Sequence, residues 1–578
     1  MTKLANYCKI KGNTEFLKTR FENMNHHKYT RMYTPVQLEK RTWCDKVIEK
    51  APIWCSVDLR DGNQALYSPM TIDEKLEFFD YLVKLGFKEI EVGFPAASGT
   101  EFEFVRRLID EDRIPDDVSI QVLTQAREHI IEKTIEALRG AKNAIVHLYN
   151  STSTLQREVV FKKGKEEIKQ LAIDGAKLVK ELVDANLDGN IRYEYSPESF
   201  TCTEPDYAVE VVNAVNEIFR PTPERKVIIN LPSTIEVATA NVYADQIEYM
   251  CQNLKNRENI IISVHAHNDR GTGVASSELA ILAGADRVEG TLFGNGERTG
   301  NADIVTIALN MFSQGVDPEL DLSNIDEAIA MFEKCNKMPI HSRHPYAGDM
   351  AYVAFSGSHQ DAIKKSFDMF DEHPDNKWAN PYLTIDPSDI GRKYEPIMIN
   401  SQSGKGGVSY VMEKKYGYSL PKDMLTEFAS YVNDLSDAKH TVLDNEEIHT
   451  AFKDVYVNIN APLKSHSYSA QNDDLTTVVN ATIEYDGKTS LISGTGNGPL
   501  DALCVGLRKM LGIDFEILAY TEHALERKSA SKAATYIAIK DNDDNEQIFW
   551  GAGVHENIST ASIYALISAV NRMLIATR

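Results

Sequence analysis

Two histidines and an aspartate in this 578-residue chain have the types and spacing to hold a divalent cation. His265 and His267 lie two residues apart in "SVHAHNDRG", at the end of an apolar run that reads as a strand, so both imidazoles project from one face. Asp61 stands in "VDLRDGNQ", where another apolar run, "APIWCSV", is stopped by Gly62, and Arg60 stands beside it. A carboxylate and two neutral imidazoles facing one point suit a divalent ion and leave positions open for a substrate. The glycine-rich "GNGERTGNAD", Gly294–Asp303, offers Asn301 as a carbonyl ligand, with Glu297 and Arg298 behind it. Taken singly, each motif has a bland explanation. The histidines could be a satisfied buried pair, Arg60 and Asp61 a surface ion pair of little energetic value, and the glycine loop a helix entry.

The elements that must position these groups decide between the readings. Short β-rich runs alternate with amphipathic helical runs: "IWCSVD" (53–58), "KEIEVGF" (88–94), "SIQVLT" (119–124), "AIVHLY" (144–149), "IRYEYS" (191–196), "KVIINL" (226–231), "IIISVHAH" (260–267) and "RVEGTLF" (287–293). Segments between them, such as "TIDEKLEFFDYLVKLG", carry apolar residues at helical spacing. This is an α/β pattern of the (β/α)8 TIM-barrel type, in which the active site lies at the C-terminal strand ends. The three motifs all fall at such ends, and because alternate strands of a barrel contribute side chains to a common layer, strands one and seven can converge at the mouth.

Composition bounds the partners. A net charge of −23 and a pI near 5.2 argue against nucleic acid or an anionic membrane as the main partner. Seven cysteines without C-x-x-C spacing fit a reducing compartment. The opening residues, "MTKLANYCKIKGNTEF", lack the apolar core of a secretory signal, and no run approaches the roughly 20 apolar residues of a membrane helix. A cytoplasmic chain is expected.

Residues 1–50 read as an N-terminal extension, 51–321 as the barrel, 322–440 as a helical linker subdomain and 441–578 as an α+β domain. In the last, "KDVYVNINAPL", "TTVVNATIEY" and "KTSLISG" precede the helix of "NGPLDALCVGLRKML". The order repeats as "DFEILAYTEHAL", "ATYIAIK" and "EQIFWGAG" before "STASIYALISAVNRML", which gives two βββα units. Gly494 and Gly496 in one, and Gly551 and Gly553 in the other, precede a helix start, where a small anion or carboxylate can bind. Tight strand-to-helix turns would explain the same glycines.

The motifs "LRDGNQ", "HAHND" and "GNGERTGN" on this pattern resemble the metal-dependent barrel family that includes 2-isopropylmalate synthase, homocitrate synthase, citramalate synthase and hydroxymethylglutaryl-CoA lyase. Within it, "EYSPESFTCTE", "NLPSTIE", "RHPYAGD", "FSGSHQDA" and "NSQSGKGGV" are similar to the longer class of 2-isopropylmalate synthases, from about residue 30 onward. One departure is Asn63, where many members carry Glu after "RDG".

The resemblance implies an acyltransferase that condenses acetyl-CoA with 3-methyl-2-oxobutanoate (2-oxoisovalerate), with citramalate or homocitrate synthesis or a lyase on the same metal site as alternatives. It implies Asp61, His265, His267 and Asn301 as ligands of Mg2+, Mn2+ or Zn2+, and Arg60 as the charge opposite a developing oxyanion, since a guanidinium is no base. It points to Glu198, His359 and Tyr394 for proton transfer, and to His147, Ser196 and Thr234 as contacts to the oxo acid. Apart from the resemblance, Lys405 in "SQSGKGGV" is a candidate contact to CoA phosphates, with a mobile connector as the favoured alternative for this segment. The C-terminal domain resembles a regulatory module that binds leucine and joins subunits, so a homodimer with leucine as effector is implied.

Overall fold

The computed structural model describes residues 26–394, 405–439, 443–472, 476–525, 531–542 and 547–577. The N-terminal reading of residues 1–25 and the stretch 395–404 lie outside them, as does the side chain of Lys405. The chain forms two compact units, one running to Gly348 together with Ile390–Arg392, the other comprising Asp349–Asp389 and Lys393–Arg578. The division falls inside the stretch read as a helical linker, and its first helix, Ile325–Asn336, belongs to the first unit.

The first unit is a closed parallel barrel. Its strands are β1 (Ile53–Ser56), β2 (Glu89–Gly93), β3 (Ser119–Gln125), β4 (Asn143–Ser151), β5 (Asn190–Glu198), β6 (Val227–Ser233), β7 (Ile260–Ala266) and β8 (Arg287–Gly290), paired in sequence order with β8 closing onto β1. A helix follows every strand, from Ile72–Leu85 after β1 to Ile304–Phe312 after β8. The first shows why these segments are helical. Thr71 and Glu74 form a reciprocal capping box, Leu76, Phe79 and Leu82 are buried, and Gly86 ends the helix at φ 109°. Arg41 and Trp43 tie the N-terminal segment to the barrel wall, with Arg41 Nε 2.8 Å and Trp43 Nε1 3.0 Å from Asp245 Oδ1.

The barrel interior is polar where a parallel barrel is usually filled by branched apolar side chains. Glu89 and Glu91 of β2, Glu194 of β5 and Arg287 and Glu289 of β8 are all buried. They occupy alternate strand positions, so they share the inward face.

In the second unit the described helices Gly357–Glu372, Lys405–Tyr410, Lys422–Lys439 and Asn445–Tyr456 precede the expected duplication. β9 (Leu463–Asn472), β10 (Thr477–Tyr485) and β11 (Lys488–Gly496) form an antiparallel sheet followed by helix Pro499–Leu511. β12 (Phe515–Ala524), β13 (Ala533–Asp541) and β14 (Ile548–His555) form another, followed by helix Ile558–Ala576. One expected strand is corrected. "KDVYVNINAPL" is the last turn of helix Asn445–Tyr456 and the loop beyond it, because a capping box between Asp444 and Glu447 starts a helix that buries Ile448, Phe452 and Tyr456. Helix Ile558–Ala576 is long and apolar enough to cross a membrane, yet 67% of its apolar window is buried within this unit, as a core helix would be.

The paired glycines seat the two helices on their sheets. A methyl group on Gly494 would strike the carbonyl of Ala502, and one on Gly553 the carbonyl of Ala561 and, at 2.5 Å, the nitrogen of Ala565. At Gly496 the neighbouring Asp501 carboxylate already accepts from Asn497 N at 2.9 Å, and at the second helix Asn557 caps Thr560 N. Gly551 likewise faces the backbone of Ala565 and Ala569. Replacing Gly553 by Ala is therefore expected to destabilise this unit by about 1–3 kcal/mol, as overpacking does in a core. Denaturant unfolding checks this, and an unchanged midpoint would show that the helix is not seated there.

Candidate active site

The turn after β1 carries the first candidate ligand. Asp58–Gly62 forms a single wide helical turn that reverses the chain at the barrel mouth. Asp58 fixes it, accepting from Ser56 Oγ at 2.8 Å and from Leu292 N, beyond β8, at 3.1 Å. Asn63 is turned to the backbone, with Oδ1 2.8 Å from Met70 N. Asp61 is buried, and its Oδ1 accepts from Arg60 and, at 3.2 Å, from Gln64 Nε2. Its Oδ2 has no hydrogen-bond partner.

That orphaned oxygen faces two imidazole nitrogens. His265 Nε2 is 3.6 Å away and His267 Nε2 3.9 Å, too long for hydrogen bonds and short enough for three donors of one ion. Each ring is aimed by its other nitrogen. His265 Nδ1 is 2.8 Å from Glu289 Oε2, and His267 Nδ1 is 3.3 Å from the Gly300 carbonyl. A hydrogen on each Nδ1 leaves both Nε2 lone pairs pointing at the same place. Asn301 Oδ1 is 3.1 Å from His265 Nε2, and its amide donates to the Asn295 carbonyl at 3.0 Å, which fixes the oxygen inward.

The loop "GNGERTGN" folds back on itself to deliver Asn301. Asn301 N donates to the Gly294 carbonyl at 3.0 Å, and Gly300 takes φ 99°, where an added side chain would strike that same carbonyl. The electrostatics match the geometry. Burial would raise the Asp61 carboxyl, but Arg60 and His265 outweigh it and hold it well below the ordinary carboxylate range. Burial also opposes charge on His265, yet Asp61 and Glu289 push it up to about 9, which shows how strongly this position favours positive charge. Burial and the adjacent His265 charge push His267 down to about 4, leaving it a neutral donor. These donors fit a divalent ion.

Above them lies a cavity of about 310 Å³ lined by Arg60, Asp61, His147, Ser196, Glu198, Thr234, His265 and His267 from the sequence reading, and by Phe94, Leu123, Tyr149, Asn230 and Pro232. Arg60 commits Nε to Glu91 and Nη1 to Asp61. His147 is held between Glu91, 2.8 Å from Nδ1, and Ser196 Oγ, 2.7 Å from Nε2.

Comparison with known proteins places the chain. Residues 51–331 match the HMGL-like family model, 349–413 the alpha-isopropylmalate synthase post-catalytic domain-like model, and 442–574 the LeuA allosteric (dimerisation) domain. The 2-isopropylmalate synthase of Acetoanaerobium sticklandii is 54% identical over 96% of this chain and 98% of its own. That of Clostridium acetobutylicum is 54% identical over 95% and 99%, and that of Helicobacter hepaticus 53% over 95% and 100%. The chain belongs to the 2-isopropylmalate synthase family.

For a member of this family, the structure brings the sequence-derived ligand and substrate residues, with Arg60 and Glu198, into one barrel mouth, and leaves two of the catalytic candidates, with the four glycines, in the second compact unit. His359 is exposed on helix Gly357–Glu372 with its ring stacked on Tyr382, 4.0 Å between centroids. The Tyr394 hydroxyl is buried without a partner, and burial pushes it up to about 12. Glu198 accepts from Ser151 at the cavity wall. The sequence reading missed Glu91 and Glu289, which hold Arg60, His147 and His265 from below, and Arg287, which holds Glu289. Their signal was present as charged residues at alternate positions of buried strands.

Two substitutions probe the supports. Glu289→Gln, which cannot hold the His265 Nδ1 hydrogen as strongly, is expected to weaken Mn2+ binding about 10–100-fold, as measured by calorimetric titration. Gly300→Ala is expected to weaken it as well, by displacing Asn301 and the carbonyl that aims His267. Unchanged affinity in both would remove these groups from the account of the site.

Proposed function

We propose that this barrel condenses acetyl-CoA with 3-methyl-2-oxobutanoate and then hydrolyses the thioester, releasing CoA and 2-isopropylmalate. The observation that carries the reading is the convergence of Asp61 Oδ2 with the Nε2 atoms of His265 and His267 beneath a cavity open to substrate. Near-complete alignment with 2-isopropylmalate synthases supports the choice among related reactions. Asp61, His265, His267 and Asn301 would hold a divalent ion, which when bound polarises the ketone of a 2-oxo acid.

The chain's own residues supply the rest. Arg60 stays cationic, because Glu91 and Asp61 outweigh its burial, and it presents positive charge to the oxygen on which negative charge develops. His147, Ser196 and Thr234 would hold the oxo acid through polar contacts, while Phe94, Leu123 and Pro232 give its branched alkyl group an apolar wall. Glu198, from the same wall, would serve deprotonation of the acetyl methyl group or activation of the hydrolytic water, and His359 and Tyr394 are proposed for proton transfer from their likeness to the family's motifs.

The N-terminal extension (1–50), barrel (51–321), helical linker (322–440) and C-terminal domain (441–578) give this chemistry its frame. The match to an allosteric dimerisation domain supports a homodimer with leucine as inhibitor, bound in the C-terminal domain. Because the four glycines there face helix backbone, leucine would be held by residues around them. Among the described residues, Cys44, Cys55, Cys202, Cys251, Cys335 and Cys504 are all unpaired, in keeping with a reducing cytoplasm.

A thiol-release assay with a panel of 2-oxo acids tests the reaction: fastest turnover is expected with 3-methyl-2-oxobutanoate, and faster turnover with pyruvate or 2-oxoglutarate would shift the assignment. A chain ending at Asp437 is expected to bind Mn2+ and oxo acid but to lose leucine sensitivity. Full leucine inhibition of that shortened chain, or inhibition of the intact chain strictly competitive with the oxo acid, would put the effector in the barrel.

A further inference from the structure

Below the cavity the barrel holds a carboxyl group that the proposed chemistry leaves idle. Glu194 projects inward from β5 and is completely buried, and neither side-chain oxygen has a hydrogen-bond partner. Oε1 lies 3.4 Å from His147 Nε2, and Oε2 lies 3.5 Å from Arg287 Nη1. Arg287 spends its hydrogens elsewhere, on Glu89 at 2.6 Å, Ser263 at 2.8 Å, Glu289 at 2.7 Å and Gln121 at 2.6 Å. The other charged groups that face Glu194 are Glu289 on β8 and Glu91 on β2; both repel a second anion, and Glu289 is also within hydrogen-bond reach of a protonated Glu194.

A carboxylate buried without donors costs several kcal/mol. Burial first, and Glu289 second, push Glu194 well above the ordinary carboxylate range. Glu289 goes the other way, because Arg287 and His265 outweigh its burial, and Glu91 does so through Arg60 and His147. Of the three carboxyl groups, Glu194 is the one that keeps a proton.

The nitrogen opposite that proton is an acceptor. With its hydrogen on Nδ1 toward Glu91, His147 presents a lone pair at Nε2 to Ser196 and Glu194. Ser196 Oγ accepts from Asn230 Nδ2 at 3.1 Å and can give its hydrogen to the same nitrogen, so transfer from Glu194 requires the serine hydroxyl to turn its hydrogen toward the bound substrate and free the single Nε2 lone pair.

We propose that Glu194 and His147 share one proton beneath the substrate cavity, held by Glu194 at rest and passed to His147 Nε2 when an anionic substrate binds above, making Glu194 a positioning residue that acts through His147. The transfer breaks the Glu194 O–H bond and forms an N–H bond. It leaves a carboxylate beside Arg287 and an imidazolium at the cavity wall. It rests on the reading that His147 faces the oxo acid.

Infrared difference spectroscopy on the full-length chain tests it. At neutral pH a carbonyl band of a neutral carboxylic acid is expected in the wild type, absent from Glu194→Gln, and bleached in the wild type when 3-methyl-2-oxobutanoate is added. The bleach needs no variant, so it stands even if Glu194→Gln folds poorly. In the thiol-release assay Glu194→Gln is expected to lower kcat about tenfold or more with little change in the oxo-acid KM, and Glu194→Asp to restore part of the loss. A wild type without the acid band, a band unmoved by the oxo acid, or a variant with wild-type kcat would overturn the proposal. The resting band is read before any substrate is present, so its outcome is separate from whether the condensation itself occurs.

Discussion

One unsatisfied oxygen organises this barrel. Asp61 Oδ2 is buried, receives no hydrogen bond, and faces two imidazole nitrogens at 3.6 and 3.9 Å. A buried carboxylate oxygen without a donor is costly, and it persists only where a cation repays it or the surroundings over-determine it. Here both hold. Arg60 anchors the other oxygen, the π-type turn fixes the backbone, and Asp58 ties that turn to the loop after β8, so Asp61 cannot rotate away to find a donor.

The polar barrel interior follows from the same constraint. Histidines that must present Nε2 lone pairs need acceptors at Nδ1, and Glu289 and the Gly300 carbonyl supply them. A carboxylate as deep as Glu289 then needs its own cation, which is Arg287, and Arg287 has hydrogens left for Glu89 and Gln121. Each layer of charge is thus the support for the one above it. Breaking such a pair on one side leaves an uncompensated buried charge, so the interior tolerates charge-preserving changes far better than truncations.

Much of this was legible in the chain. The eight strand segments and their order were read from short β-rich runs, and the structure closes them as expected. Asp61, His265, His267 and Asn301 were legible because the barrel rule directs attention to strand ends. The groups below are not, because "KEIEVGF", "IRYEYS" and "RVEGTLF" satisfy a β-rich pattern whatever their charged residues face, and only closure of the barrel turns Glu89, Glu91, Glu194, Arg287 and Glu289 onto one buried face. "KDVYVNINAPL" was misread because the alternation around Val455 and Val457 looks like a strand, while the Asp444 cap that makes it helical sits nine residues upstream of Lys453. The glycine pairs were visible as a repeat, but their neighbours are helix carbonyls that only the folded chain brings near.

The central claim is that two imidazole nitrogens and the Asp61 carboxylate meet at one cation. Pulsed electron paramagnetic resonance on the Mn2+-loaded, full-length chain reads the nitrogens bonded to the ion directly. Coupling to two histidine nitrogens is expected in the wild type, with one lost in His267→Ala and tight binding lost in Asp61→Ala. Mn2+ bound with no histidine nitrogen, or bound undiminished without Asp61, would contradict the account.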